Sequence, residues 1–166
     1  MAEEKNEISM ASAVKVADRV ELQSVRLLEC DCRQKPKSPT GKKTFDIEKT
    51  FRFEVNEEEN IIGVFIRFVL NAFGEEVEQK KENSFLNIGA TFLLLYRING
   101  MEGLDNTAFK SFAELNGTYN AWPYWREFVQ SITSRMELPT LTIPVFRFSS
   151  LPSKKVTNEN VTPVKS

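Results

Sequence analysis

The stretch from residue 61 to residue 73 constrains the fold most, because its side chains are largely apolar at both alternating positions. The run IIGVFIRFVLNAF contains five β-branched residues and three phenylalanines. Such residues favour a β-strand, and a strand that is apolar on both faces has to be covered on both faces. The run therefore predicts a buried strand, and residues 85–98 (FLNIGATFLLLYRI) predict a second one.

Two more strands are expected before this pair. Residues 45–55 place Phe45, Phe51 and Phe53 on one face with mostly polar residues between them, which indicates an amphipathic strand. Residues 20–32 are apolar at positions whose phase changes, so we expect a strand with β-bulges. Because the four strands follow each other with short connections, we predict a mainly antiparallel meander.

After residue 100 the apolar residues take a helical spacing. Asp105 or Asn106 is expected to cap a short helix that ends at Asn116-Gly117, and a second helix is expected to begin near Pro123. The fold class is therefore α+β, a four-stranded antiparallel sheet with a long C-terminal helix packed on one face. The apolar stripe of that helix is assigned to the core or to a subunit interface, and it consists of Trp125, Phe128, Val129 and Ile132.

The length of 166 residues suits one domain. Residues 1–18 and 149–166 lack a core pattern, so we predict a flexible N-terminal segment, a domain over 19–148 and a flexible C-terminal tail. The connection 33–43 carries five basic residues with two prolines and a glycine, and we interpret it as a solvated loop.

The chain contains no histidine, and this limits its chemistry. Ser-His-Asp and Cys-His nucleophiles are excluded, as is the commonest metal ligand. Cys30 and Cys32 lack the further ligands that a metal site requires, and they are poorly placed to form a disulfide with each other. Glu102 and Asp105 are better explained as turn and cap residues than as catalytic carboxylates. We therefore expect a binding protein, not an enzyme, with no metal and no other cofactor.

The charge of the chain bears on its partners. The formal net charge is −1, so neither nucleic acid nor an anionic membrane is favoured as a partner. The first residues, MAEEK, do not form a secretory signal, and no apolar run is long enough to span a bilayer. These features predict a cytoplasmic location.

The segment from residue 119 to residue 146, YNAWPYWREFVQSITSRMELPTLTIPVF, resembles the hallmark region of the SecB family of export chaperones. The Asn99-Gly100-Met101-Glu102-Gly103 turn is similar to the family's Gly-x-Glu-Gly turn, so the resemblance extends over residues 20–146. The matching positions of the hallmark region are Trp122, Pro123, Tyr124, Arg126, Glu127, Ser134, Arg135, Leu138, Pro139, Leu141, Pro144 and Val145.

The resemblance implies an ATP-independent holdase that is a homotetramer, built as a dimer of dimers. Unfolded or precursor polypeptides would bind in apolar grooves between the sheet and the helices, and export-competent members pass them to SecA. Glu29 and Asp31 are the positions implied for SecA docking. The residues expected to line the polypeptide-binding groove are Trp122, Tyr124, Leu138, Leu141, Ile143 and Phe45.

The sequence also departs from the family in two places. Arg33 stands where the acidic docking positions would continue, and residues 149–166 lack the pattern of the family's second C-terminal helix. The alternative to general export is therefore a SecB-like chaperone dedicated to one client, such as an antitoxin. A further alternative, from another class, is a carrier whose apolar strands enclose a small molecule.

Overall fold

The computed structural model describes residues 8–75 and 78–147, together with the backbone of the pair 156–157. A 3₁₀ turn, Lys81–Asn83, precedes the fourth strand, and a π-helical turn, Ala113–Gly117, joins the last two helices. The helices and strands, in chain order, are α1 (Met10–Ala17), β1 (Val20–Gln34), β2 (Lys43–Asn56), β3 (Ile61–Gly74), β4 (Leu86–Ile98), α2 (Asn106–Phe112), α3 (Thr118–Arg135) and β5 (Val156–Thr157).

All strand pairs are antiparallel, and the order across the sheet is β1-β4-β3-β2-β5. The four predicted strands and the α+β class are confirmed. The meander is wrong for β1, which pairs with β4 and is separated from β2 by two strands. The eight residues of connection 35–42 can span the roughly 14 Å between β1 and β2, since an extended chain covers about 3.3 Å per residue. The alternation of apolar and polar side chains indicates which face of a strand is buried, but it does not indicate which strand pairs with it.

The bulges predicted in β1 are confirmed. The register with β4 shifts between Leu22 and Ser24 and again between Leu27 and Glu29. Each shift changes which residues of β1 face the helices. Cys30 and Cys32 lie on the same side of the strand as free thiols, and both are exposed.

The core lies between one face of the sheet and the helices. Trp125 and Val129 of α3 are completely buried, whereas Phe128 and Ile132 are partly buried against the core. The helix-facing residues of β3 and β4 have at most 5% of their surface exposed: Ile62, Val64, Ile66, Phe68, Leu70, Ala72, Leu86, Ile88, Ala90, Phe92, Leu94, Tyr96 and Ile98.

The helical region from residue 106 to residue 135 is continuous. The prediction that Asp105 caps α2 is confirmed, because its side chain accepts a hydrogen bond from the Ala108 N–H at 2.8 Å. The predicted break at Gly117 and the predicted helix start at Pro123 are wrong. Gly117 has a helical backbone, and a Cβ there would lie 2.7 Å from Val64 Cγ1. Glycine is therefore needed at this position for close packing on β3, and it does not end the helix.

Residues 10–17 form a helix within the segment predicted to be flexible, so that expectation is wrong for these residues. Ser9 caps α1 by accepting a hydrogen bond from the Ser12 N–H, and its own N–H donates to Ser111 Oγ at 3.2 Å. Ala13 and Val16 are fully buried. The helix is short, and most of its apolar residues are small, so its sequence did not single out the two that contact the core.

The predicted C-terminal tail lies outside the described residues, apart from β5. Residues 1–7 of the predicted N-terminal segment lie outside them as well. No helix in the described part of the chain has both the length and the apolar character needed to cross a membrane.

Replacement of Gly117 by alanine tests the close approach of the helices to β3. A Cβ 2.7 Å from Val64 Cγ1 forces the backbone or the valine to move, so we expect the free energy of unfolding to fall by about 1–3 kcal/mol. Urea denaturation measures this change as a lower midpoint at an unchanged slope.

Gly63→Ala is the matched control, because a Cβ at residue 63 would meet Leu93 Cδ1 at 3.6 Å, an ordinary contact. Its midpoint should stay at or above that of the wild type, since alanine is less flexible than glycine in the unfolded chain. A Gly117→Ala variant as stable as Gly63→Ala would contradict the packing described here.

Candidate functional site

Arg67 is the centre of a charged cluster on the face of the sheet that the helices leave uncovered. Its Nη2 lies 2.5 Å from Asp31 Oδ1, and its Nη1 lies 3.2 Å from Thr91 Oγ1 and 3.7 Å from Glu29 Oε2. The side chain reaches from β3 across β4 to β1, which is possible because residue 89 is glycine. A Cβ there would lie 2.6 Å from Asp31 Oδ1.

This cluster bears on the two acidic residues predicted to dock SecA. Glu29 and Asp31 do share one face, as their alternate positions implied, but both are paired with Arg67. Arg33 follows them on the same side of β1. The surface around these two carboxylates is therefore of mixed charge, and docking at Glu29 and Asp31 remains a prediction.

A row of half-buried side chains lies along the helix-facing side of β2. Lys49 is within this row, and its Nζ lies 3.4 Å from Glu114 Oε1 in the π-helical turn. Burial lowers the pKa of Lys49, and the charge and hydrogen bond of Glu114 oppose this shift. The row is thus an apolar strip with one partly desolvated cation. Its half-buried apolar members are Ile47, Phe51, Phe53 and Val55, and the buried Phe45 lies beyond them near the start of β2.

The segment that follows α3, residues 139–147, lies back along that helix, and we term it the exit segment. Trp122 Nε1 donates a hydrogen bond to the Pro144 carbonyl oxygen at 2.8 Å, and Arg126 Nε donates to the Ile143 carbonyl oxygen at 2.7 Å. The Phe146 ring lies 5.4 Å from that of Trp122. On its other side Trp122 contacts the core, with its ring 5.4 Å from Phe68 in an edge-to-face arrangement.

The structure brings some of the six predicted groove residues together and separates others. Trp122 and Ile143 lie close together where the exit segment packs on α3, Leu141 lies further along that helix beside Thr133, and Leu138 directly precedes the segment. Tyr124 is 47% exposed. Ile143 and Phe45 are 1% and 7% exposed, so neither offers much surface unless the segments around them move.

The sequence analysis gave no binding role to Arg126, whose side chain donates to a main-chain carbonyl oxygen of the exit segment. The sequence did contain a signal for this role, because Arg126 is a charged residue of the matched hallmark region and lies next to the apolar stripe of α3. A half-buried arginine in such a position usually has a specific partner, and here the partner is a carbonyl oxygen.

The outer strand β1 carries a second apolar surface. Leu22, Leu27 and Leu28 are 39%, 46% and 50% exposed. Within the described residues, β1 is at the edge of the sheet and pairs with β4 alone. A long edge strand with exposed leucines is a surface that proteins normally cover.

Comparison with known proteins identifies the fold. Neither a family model nor a curated protein matches the sequence. Among solved structures, the chain is similar to the SecB-like chaperone of Mycobacterium tuberculosis in complex with a ChAD peptide from the HigA1 antitoxin. The TM-score is 0.70 with 21% sequence identity, covering 82% of this chain and 97% of that chain. The SecB-like fold predicted from the hallmark region is thereby confirmed.

A second solved structure, a protein of unknown function from Streptococcus agalactiae, is similar at a TM-score of 0.46 with 10% sequence identity. That match covers 75% of this chain and 96% of the other.

A double-mutant cycle on Arg67→Met and Asp31→Asn tests whether the acidic pair is held by its internal cation. The two side chains are 32% and 44% exposed, so we expect a coupling energy of about 0.5–1 kcal/mol, measured by urea denaturation.

The control cycle is Lys80→Met with Glu78→Gln, a pair at 3.0 Å whose side chains are 56% and 70% exposed. Its coupling should be close to zero, because water and salt screen it more strongly. Equal coupling energies in the two cycles would show that Arg67 and Asp31 do not form a stabilising ion pair in solution.

Proposed function

We propose that this protein is an ATP-independent holdase chaperone that binds unfolded or precursor polypeptides. The observation that carries the proposal is the SecB-like fold, which it shares with a chaperone solved with a bound antitoxin peptide. In this proposal the protein acts by binding alone, without catalysis and without a cofactor, in the cytoplasm.

The surfaces beside the helices support this function. The apolar strip on β2 is half-buried, so its aromatic rings are held in place while part of their surface stays accessible. Aromatic side chains give large contact areas at low cost in conformational entropy, and they do not require a particular partner sequence. The proposed polypeptide-binding residues remain Trp122, Tyr124, Leu138, Leu141, Ile143 and Phe45.

The charges on the open face favour a dedicated client over general export. A SecA-docking surface would need free carboxylates at Glu29 and Asp31, and Arg67 pairs with both. A basic partner would have to compete with this internal arginine. We therefore place a SecB-like chaperone for one client, such as an antitoxin, ahead of an export factor coupled to SecA.

The assembly we propose is a homotetramer, a dimer of dimers. It is supported by the exposed leucines of β1 and by the edge position of this strand. A second copy would bury both the leucines and the outer edge of the strand.

The holdase function predicts that the protein suppresses aggregation of a reduced model client, such as insulin, at equal concentration and without nucleotide. Light scattering measures the effect. Tyr124→Ser should weaken client binding by roughly fivefold, because it removes an exposed aromatic contact worth about 1 kcal/mol.

Val14→Ser is the control for an exposed apolar residue away from the groove, since Val14 is 46% exposed on α1. It should suppress aggregation as well as the wild type does. A wild-type protein that leaves the client's aggregation unchanged at several-fold excess would rule out the proposed function.

The assembly predicts a particle of about 76 kDa in light scattering, four times the 19.0 kDa chain. Leu27→Asp with Leu28→Asp should shift this mass to smaller species, because two charges cannot be buried in an apolar interface without large cost. Val14→Asp should leave the mass unchanged. A monomeric wild type at micromolar concentration would contradict the proposed tetramer.

A further inference from the structure

The exit segment, residues 139–147, runs antiparallel to α3 and is close to fully extended. Leu141 lies at the level of Thr133, and Phe146 lies against the rings of Trp122 and Tyr119. The helix rises about 21 Å from residue 119 to residue 133. Five residues of the exit segment cover this length, and only an extended chain together with side-chain reach can do so.

The helix recognises the main chain of this segment. Two of its side chains donate to consecutive carbonyl oxygens, Trp122 to Pro144 and Arg126 to Ile143, at 2.8 Å and 2.7 Å. None of these contacts depends on the identity of the side chains in the exit segment. Every polypeptide carries such carbonyl groups, so a chain of another sequence that follows the same backbone path can accept both bonds.

A third contact to the exit segment lies further along α3, at Thr133. The Leu141 N–H donates to Thr133 Oγ1 at 3.4 Å, and the same hydroxyl donates to the Val129 carbonyl oxygen at 2.8 Å. Thr133 is 1% exposed, so its hydroxyl is fixed in one orientation. Trp122, Arg126 and Thr133 thus form a row of main-chain-binding groups along one face of α3, which we term the rail.

Three side chains of the exit segment are packed: Ile143 is buried, and Leu141 and Phe146 are half-buried. Thr142, Pro144 and Val145 are exposed, Val145 by 66%. The segment is therefore held both by these apolar contacts and by main-chain hydrogen bonds, and the hydrogen bonds are the part that a chain of another sequence can reproduce.

We propose that the rail is a binding site for extended polypeptide, that the exit segment occupies it in the absence of a client, and that a client segment takes its place. The proposal rests on the holdase function and specifies how the client is recognised, by its main chain in an extended conformation. Of the polypeptide-binding residues proposed above, Trp122 then belongs to the rail, whereas Leu141 and Ile143 belong to the segment that the client replaces. The apparent affinity for a client then depends on how firmly the exit segment is held, because the binding-competent state is only a fraction of the population.

The test uses the full-length protein and a permanently unfolded probe, reduced and carboxymethylated α-lactalbumin. Phe146→Ala removes the ring that packs on Trp122, so the exit segment is held less firmly and the dissociation constant should fall by about three- to tenfold. Val145→Ala changes an exposed neighbour in the same segment and should leave it unchanged. Fluorescence anisotropy of the labelled probe measures both.

Hydrogen exchange of the wild-type protein gives a second readout that does not depend on a variant. When the probe binds, the Leu141 amide should lose the protection that its bond to Thr133 provides. In the Phe146→Ala background, Trp122→Phe keeps an aromatic ring but removes the indole N–H. It should weaken probe binding by about three- to tenfold, the effect of one lost hydrogen bond.

The outcomes separate this proposal from the function on which it rests. A probe that binds the wild type without changing exchange in residues 139–147, and with equal affinity for Phe146→Ala, would overturn the rail and leave the holdase function standing. A probe that binds neither the wild type nor Phe146→Ala would overturn both.

Discussion

The contact of Phe68 with the two tryptophans of α3 links the sheet, the helix and the exit segment. Phe68 is fully buried at the middle of β3, stacked on Trp125 at 5.4 Å and edge-to-face with Trp122 at the same distance. Through Trp125 it fixes the helix on the sheet, and through Trp122 it fixes the donor that holds the exit segment. The position of the candidate site therefore depends on the packing of the core.

The elements of the sheet followed from side-chain patterns, whereas their arrangement did not. The alternation in β2 and the apolar runs of β3 and β4 predict strands, because each residue type reports the environment of its own position. The pairing of β1 with β4 depends on the path of the 35–42 connection, which no residue pattern encodes. Gly117 and Pro123 are local breaker signals, and here the close approach to Val64 and the continuous helix overrode them.

The candidate site was predictable in part for the same reason. Trp122 and Ile143 were expected in one groove because both lie in the short hallmark stretch, and the structure places them close together. The pairing of Arg67 with Asp31 joins strands that are neighbours of β4 on opposite sides, so it cannot be found without the order of the sheet. The contacts to the exit segment involve carbonyl oxygens, whose directions depend on backbone conformation and not on residue type.

The hydrogen bond from Trp122 to Pro144 also gives the molecule an intrinsic optical reporter. The chain contains two tryptophans, and one of them, Trp125, is sealed in the core. The other is half-buried, with its indole N–H on the exit segment. The fluorescence of indole responds to the polarity and hydrogen bonding around the ring. Rearrangements of the exit segment therefore change the emission of Trp122, while the emission of Trp125 stays constant. Motion at this site is therefore visible without any added label.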